Sequence, residues 1–162
     1  MINGIHHASI TTKNIDALAA FYRDVLGFEQ IMDVSWNRDS PVADLIYGLR
    51  DTAVRMVMLK KVNACLELFE FSNPVGKPLD PRRPVCDAGY SHICLLVADI
   101  EAEHARLTAA GMVFTCVPQH IPGLCKATYG RDPDGNIIEL MEPDENSPFM
   151  LTLPVPVAPA SG

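Results

Sequence analysis

Two short stretches of the chain carry chemistry-bearing side chains at matching places. Gly4-Ile5-His6-His7 and Gly89-Tyr90-Ser91-His92 each open on Gly and set a His three residues on. Two apolar runs, Cys65-Leu66-Glu67-Leu68-Phe69 and Ile137-Ile138-Glu139-Leu140-Met141, each hold one acid. A carboxylate among such neighbours is costly to bury unless it is paired or binds a metal. His7, Glu67, His92 and Glu139 together offer two imidazole nitrogens and two carboxylate oxygens. That donor set suits a divalent ion of Ni, Co, Zn, Mn or Fe. Four such ligands leave one or two positions of a five- or six-coordinate ion for water or substrate oxygens.

The elements that must position these residues are written twice. After each Gly-x-x-His the chain runs through a mostly apolar strand to Ile15 or Ile100, with Ala17 or Ala102 two residues later. A helix follows in each copy, ending at Leu26-Gly27 or Ala110-Gly111. In the first copy Ile5–Thr12 reads as a strand and Asn14 or Asp16 as a helix cap. Leu18, Phe21, Tyr22 and Val25 then recur at helical spacing. Phe28–Trp36, Arg55–Leu59 and Ala64–Phe71 read as strands, and Asn37–Gly48, polar and interrupted by Pro41, as irregular. The second copy reads as a strand Tyr90–Val97, a helix capped by Asp99, and a strand Met112–Val117. A loop at His120–Gly123 and the strands Cys125–Tyr129 and Asn136–Met141 complete it. Asp132-Pro133-Asp134-Gly135 between the last two is a strong turn signal. Each copy is therefore β-α-β-β-β, and the fold class is α+β. The expected organisation is a first module at 1–71, a Pro-rich linker at 72–88 with Pro74, Pro78, Pro81 and Pro84, a second module at 89–142, and a C-terminal tail at 143–162.

Composition narrows the class of function. The chain has 162 residues, enough for one compact domain or two fused small units, and 48% of them are hydrophobic. No apolar run approaches the roughly 18 residues of a membrane span, and nothing at the N-terminus resembles a secretory signal. A net charge of −7 with scattered Lys and Arg argues against a nucleic-acid surface. Five cysteines without a CxxC pair point to reduced thiols in a cytoplasm.

Taken together, these motifs carry a resemblance. Gly4-Ile5-His6-His7, Phe21-Tyr22-Arg23-Asp24-Val25-Leu26-Gly27-Phe28, Leu66-Glu67-Leu68, Gly89-Tyr90-Ser91-His92-Ile93 and Asp132-Pro133-Asp134-Gly135-Asn136-Ile137-Ile138-Glu139-Leu140 resemble the vicinal oxygen chelate superfamily from about residue 4 to 142. That superfamily holds glyoxalase I, methylmalonyl-CoA epimerase, extradiol dioxygenases and bleomycin- and fosfomycin-resistance proteins. The resemblance implies tandem βαβββ modules whose curved mixed sheets form a cup around a metal ion held by His7, Glu67, His92 and Glu139. The units expose sheet edges that commonly pair between chains, so a homodimer is expected, with the site built within one chain or across two. The ligand set is most similar to that of bacterial glyoxalase I. Thr11 and Phe71, however, stand where that enzyme usually has Arg and Asn gripping glutathione, so a glutathione-linked substrate is not expected.

Strand parity gives the neighbours of the ligands. Ile5, Ser9 and Thr11 share a face with His7, and Cys65, Phe69 and Phe71 with Glu67. Tyr90, Cys94 and Leu96 share a face with His92, and Ile137 and Met141 with Glu139. Tyr129, just before a turn, is expected either to hydrogen-bond substrate or simply to pack. No Arg or Lys falls in this set, although Arg38, His120 and Lys126 lie in nearby loops. The expected substrate is a small, largely apolar molecule with an oxygen chelate. The expected chemistry is a glyoxalase-like lyase or isomerase reaction, with Glu139 or Glu67 moving a proton next to a polarised carbonyl. An Fe(II) extradiol-type dioxygenase and a drug-binding protein without catalysis are the alternatives. Of the remaining candidates, His6 is expected to face solvent or the helices and His104 to be solvated. Glu70 is expected to face away from the site, and Cys65 and Cys94 to be small core residues.

Overall fold

The structure is a computed structural model that describes residues 1–151. The described chain forms two compact units, residues 1–77 and 78–151. The part of the expected tail from Thr152 onward lies outside the described residues.

The first unit begins with β1 (His7–Thr11), followed by α1 (Ile15–Ala20), which runs straight into a π-helical turn at Phe21–Val25. Then come β2 (Glu29–Trp36), α2 (Pro41–Tyr47), β3 (Ala53–Lys61) and β4 (Ala64–Asn73). Its four-stranded sheet has the order β1-β4-β3-β2. β1 lies parallel to β4, and the other pairs are antiparallel. The helix packs on one face of this sheet. Ile15, Leu18 and Tyr22 are fully buried with Val57, Leu59, Leu66 and Leu68. Each such aliphatic side chain contributes about 1.5–3 kcal/mol on burial. Tyr22 also packs edge-on against Phe28, ring centroids 5.6 Å apart.

The second unit repeats this plan. It contains β5 (His92–Leu96), α3 (Ile100–Ala109), β6 (Val113–Phe114), β7 (Gln119–Ile121), β8 (Cys125–Arg131) and β9 (Ile137–Pro143). The sheet order is β5-β9-β8-β6, with β7 paired to β8. β5 is parallel to β9, as β1 is to β4. Ile100 and Leu107 of α3 and Ile138 and Leu140 of β9 are buried.

The caps are duplicated as well. Asn14 accepts the N–H of Ala17, and Asp99 that of Ala102. Glu70 accepts the N–H of Ile15 at 3.1 Å and Glu142 that of Ile100 at 2.9 Å. The helical segments end at Gly27 and just past α3 at Gly111, with φ of 68° and 93°, conformations that disfavour any Cβ. Asp132 accepts the N–H groups of Asp134 and Asn136, which fixes the turn before β9.

Three expectations are corrected. The segment 37–48 is not irregular but holds α2, with Ser40 as its cap, Pro41 in its first turn and Gly48 closing it in the left-handed conformation. His120–Gly123 is not simply a loop, since Gln119–Ile121 forms β7. The strand expected over Met112–Val117 shrinks to Val113–Phe114. Among the described residues no helix is long and apolar enough to cross a membrane.

Candidate functional site

Each unit brings one His and one Glu together. In the first, His7 at the start of β1 lies beside Cys65 of β4, and Glu67 is two residues further along. In the second, His92 at the start of β5 lies beside Ile137 of β9, and Glu139 is again two residues on. The shared register produces the same contact. His7 Nε2 is 3.3 Å from Glu67 Oε2, and His92 Nε2 is 3.0 Å from Glu139 Oε2. Alternation along β4 and β9 turns these acids away from Leu66, Leu68, Ile138 and Leu140, which are buried on the helix side. Glu70, three residues beyond Glu67, points to that side and caps α1, as its parity predicts.

The spacing fits a metal. Two donor atoms that are each about 2.1 Å from one ion stand roughly 3.0–3.4 Å apart when they are adjacent ligands. An imidazole nitrogen and a carboxylate oxygen also suit the same borderline ions. Among the described residues no three His, Cys, Asp or Glu side chains are gathered as a metal site; each unit supplies a pair.

The neighbours of each acid follow from the ladders. Ser9 and Met58 flank Glu67, whereas Cys94 and Tyr129 flank Glu139. Tyr129 stacks obliquely on His92, ring centroids 5.0 Å apart with planes tilted by 36°. Burial and the Glu139 charge both raise the Tyr129 phenol. Cys94 keeps an accessible edge, but desolvation by the surrounding protein, and then the Glu139 carboxylate, push its thiol up to about 12. Neither Cys65 nor Cys94 is the buried core residue expected; Cys125 is.

In the first unit Phe69 and Phe71 share the face of Glu67, and Tyr47 of α2 packs edge-on against both, with centroids 5.7 and 5.6 Å away. Tyr47 is missed by the sequence because α2 is. Its phenol is raised by burial and by the charge of Glu67. Met56 and Met58, opposite Phe69 and Glu67 on β3, extend this apolar wall. Thr11 pairs with Phe69 at the end of β1. In the second unit Leu96 and Met141 pair further along from the acid and are half-buried.

Other expected neighbours lie elsewhere. Ile5 and Tyr90 precede their strands and are almost wholly exposed. His104 is half-buried, and its ring packs on Phe114 with centroids 4.5 Å apart. His120 and Lys126 are committed to Asp144 and Glu101. Arg131, at the end of β8, shares the strand parity of Tyr129, yet donates to the carbonyls of Gly135 and Arg83. A cavity of about 50 Å³ beside Tyr90, Ser91 and Arg131 is too small for a typical ligand.

The two modules share this topology, and each presents a His–Glu pair from parallel neighbouring strands. The family model of the Glyoxalase/Bleomycin resistance protein/Dioxygenase superfamily matches residues 4–140, and the chain belongs to that superfamily. It is 31% identical over 139 residues to YaeR, an uncharacterized protein of Escherichia coli strain K12, covering 85% of this chain and 95% of that one. A crystal structure of a glyoxalase family protein from Bacillus cereus superposes with a TM-score of 0.79 at 21% identity, covering 88% of this chain and 95% of the other. TnmS3, an antibiotic-binding protein from Streptomyces sp. CB03234, superposes with a TM-score of 0.59 at 21% identity, covering 88% and 98%. The fold therefore accommodates both glyoxalase-family proteins and a binder of small molecules.

Proposed function

We propose that the chain is a metal-dependent lyase or isomerase of this superfamily, acting on a small, largely apolar substrate. The observation that carries the reading is the duplicated Nε2–Oε2 approach of His7 to Glu67 and His92 to Glu139, at the spacing of adjacent metal ligands. In this reading the His–Glu pairs bind a divalent ion, Ni, Co, Zn, Mn or Fe, and the protein is a homodimer in the cytoplasm. An ion held by these residues would supply Lewis-acid polarisation of a substrate carbonyl, which would acidify the adjacent C–H. Glu139 or Glu67 takes that proton and returns it, as general base and then acid. The Cys94 thiol, beside Glu139 on the neighbouring strand, is protonated at neutral pH. Ser9, Thr11, Phe69 and Phe71, with Tyr47 added from α2, form the proposed substrate-binding face of the first unit, and Cys94, Leu96, Tyr129 and Met141 that of the second. Thr11 and Phe71 offer no cation or amide for a tripeptide, which favours a substrate not linked to glutathione.

Metal analysis of the purified protein by mass spectrometry tests this reading. The expected result is a transition metal that Glu139→Gln and Glu67→Gln lose. Exchange of substrate C–H for deuterium from solvent, retained with Ni, Co or Zn, would support proton transfer; oxygen consumption that requires Fe(II) would shift the assignment to an extradiol-type dioxygenase. The aromatic cluster of Tyr47, Phe69 and Phe71 favours a second reading, a binder of flat apolar compounds without catalysis. Protein that takes up no metal yet binds such a compound would establish that alternative.

A further inference from the structure

A strand normally sends consecutive side chains to opposite faces, so the residue before a ligand histidine should not reach it. In this chain it does so twice. His6 Nδ1 lies 2.9 Å from His7 Nδ1, and Ser91 Oγ lies 2.8 Å from His92 Nδ1. Both residues stand just outside their strands, since β1 begins at His7 and β5 at His92, and alternation does not bind them there. They occupy equivalent places in the two copies, and on each histidine the far nitrogen, Nε2, is the one that meets the carboxylate.

We propose that His6 and Ser91 are positioning residues that hold Nδ1 of the following histidine and thereby aim its Nε2 at the metal. The proposal rests on the ligand assignment made above. A neutral imidazole has one N–H and one lone pair. To give the Nε2 lone pair to a cation it must carry its proton on Nδ1, and that N–H needs an acceptor. Without a cation the arrangement reverses: Nε2–H donates to Glu67 or Glu139, and Nδ1 accepts. A partner that serves both states must both donate and accept. A serine hydroxyl does so, and so does an imidazole that can shift its own proton to a solvent-facing nitrogen. Loading then reverses the direction of the Nδ1 hydrogen bond.

The test uses the full chain, metal-free and titrated with Zn(II), in the wild type and in Ser91→Ala, Ser91→Thr, His6→Ala and His6→Asn. Long-range proton–nitrogen NMR of the metal-free protein reads the Nδ1 hydrogen bond directly. The His92 Nδ1 resonance should move towards that of an unbonded acceptor nitrogen in Ser91→Ala and return in Ser91→Thr. His7 should respond in the same way to His6→Ala and His6→Asn. Zn(II) affinity should fall about 10- to 100-fold in each alanine variant and recover in its partner. Unmoved Nδ1 resonances, or alanine variants that bind Zn(II) within about threefold of wild type, would overturn the proposal. Wild-type protein that binds no metal would overturn the ligand assignment instead, and the metal-free spectra would still decide whether the two residues hold their histidines.

Discussion

Glu70 accepts the backbone N–H of Ile15, while Glu67, three residues earlier on the same strand, lies against His7. One acid is committed to the helix and the other to the site, and the strand separates them by face. Replacing Glu70 with Ala should cost about 1 kcal/mol through loss of an N-terminal cap and of a negative charge at the helix start. Glu142→Ala should do the same to α3. Chemical denaturation would read both losses, and Zn(II) binding should be unchanged. Glu67→Ala should show the opposite pattern, with weakened metal binding and a smaller effect on helix stability.

The aromatic cluster of the first unit makes a second prediction. Tyr47 makes two edge-to-face contacts, with Phe69 and Phe71. At about 0.5–1.5 kcal/mol for each pair, Tyr47→Ala should destabilise the protein by roughly 1–3 kcal/mol. It should also weaken binding of flat apolar compounds, measured by calorimetry. Tyr47→Phe keeps the ring and should leave both nearly unchanged.

Cys94 should be unreactive despite its accessible edge. With its thiol pushed up to about 12, it is almost entirely protonated at pH 8, and the thiolate is the nucleophile. Iodoacetamide should label it at least about a hundredfold more slowly than a small reference thiol of ordinary acidity. Since the Glu139 charge contributes to the rise, Glu139→Gln should speed the labelling. Mass spectrometry of the peptide containing Cys94 distinguishes these outcomes.

A pH-dependent contribution to stability is expected at the β7–β8 hairpin. Asp144 contacts His120 through both carboxylate oxygens at 3.0 Å and accepts the N–H of Gly123 at 2.8 Å. The hydrogen bond from His120 does most to hold the carboxyl below its ordinary range, with Gly123 adding to it and burial opposing. A depressed acid stabilises the folded state above its unfolded pKa, and the effect is lost as pH falls through the folded value. The melting temperature of the wild type should therefore exceed that of Asp144→Asn near neutrality. The gap should close as pH falls below the ordinary carboxylate range; a gap that persisted in strong acid would show that the carboxylate charge is not responsible.

The duplicated plan was legible because its signals are local. Asn14 and Asp99 cap by offset, Gly27 and Gly111 end helices by their backbone freedom, and Glu67 and Glu139 stand out in apolar strands. The helix Pro41–Tyr47 was not legible, although Ser40, Pro41 and Gly48 form a proper start and stop. Pro41 reads as a breaker unless it is recognised as a first-turn residue. Val42, Leu45 and Ile46 are exposed, so no clean buried stripe marks the helix. Tyr47 was lost with it. The three residues of β7 are all exposed and show no alternation. The contacts of His6 and Ser91 were hidden for another reason: parity holds within strands, and both residues stand at the threshold of one.

The division of labour between neighbouring acids also guards the fold against mispairing. A strand that slips by one residue exchanges its faces. If β4 slipped in this way against β1, the Glu67 carboxylate would be driven beneath α1, Leu66 and Leu68 would be turned outward, and Ile15 would lose the acceptor for its N–H. The same slip of β9 would strand Glu139 under α3 and uncap Ile100. A misaligned copy therefore incurs a buried charge, lost apolar burial and an open helix end together, so the residues that present the site also reject the wrong alignment of the strands that carry it.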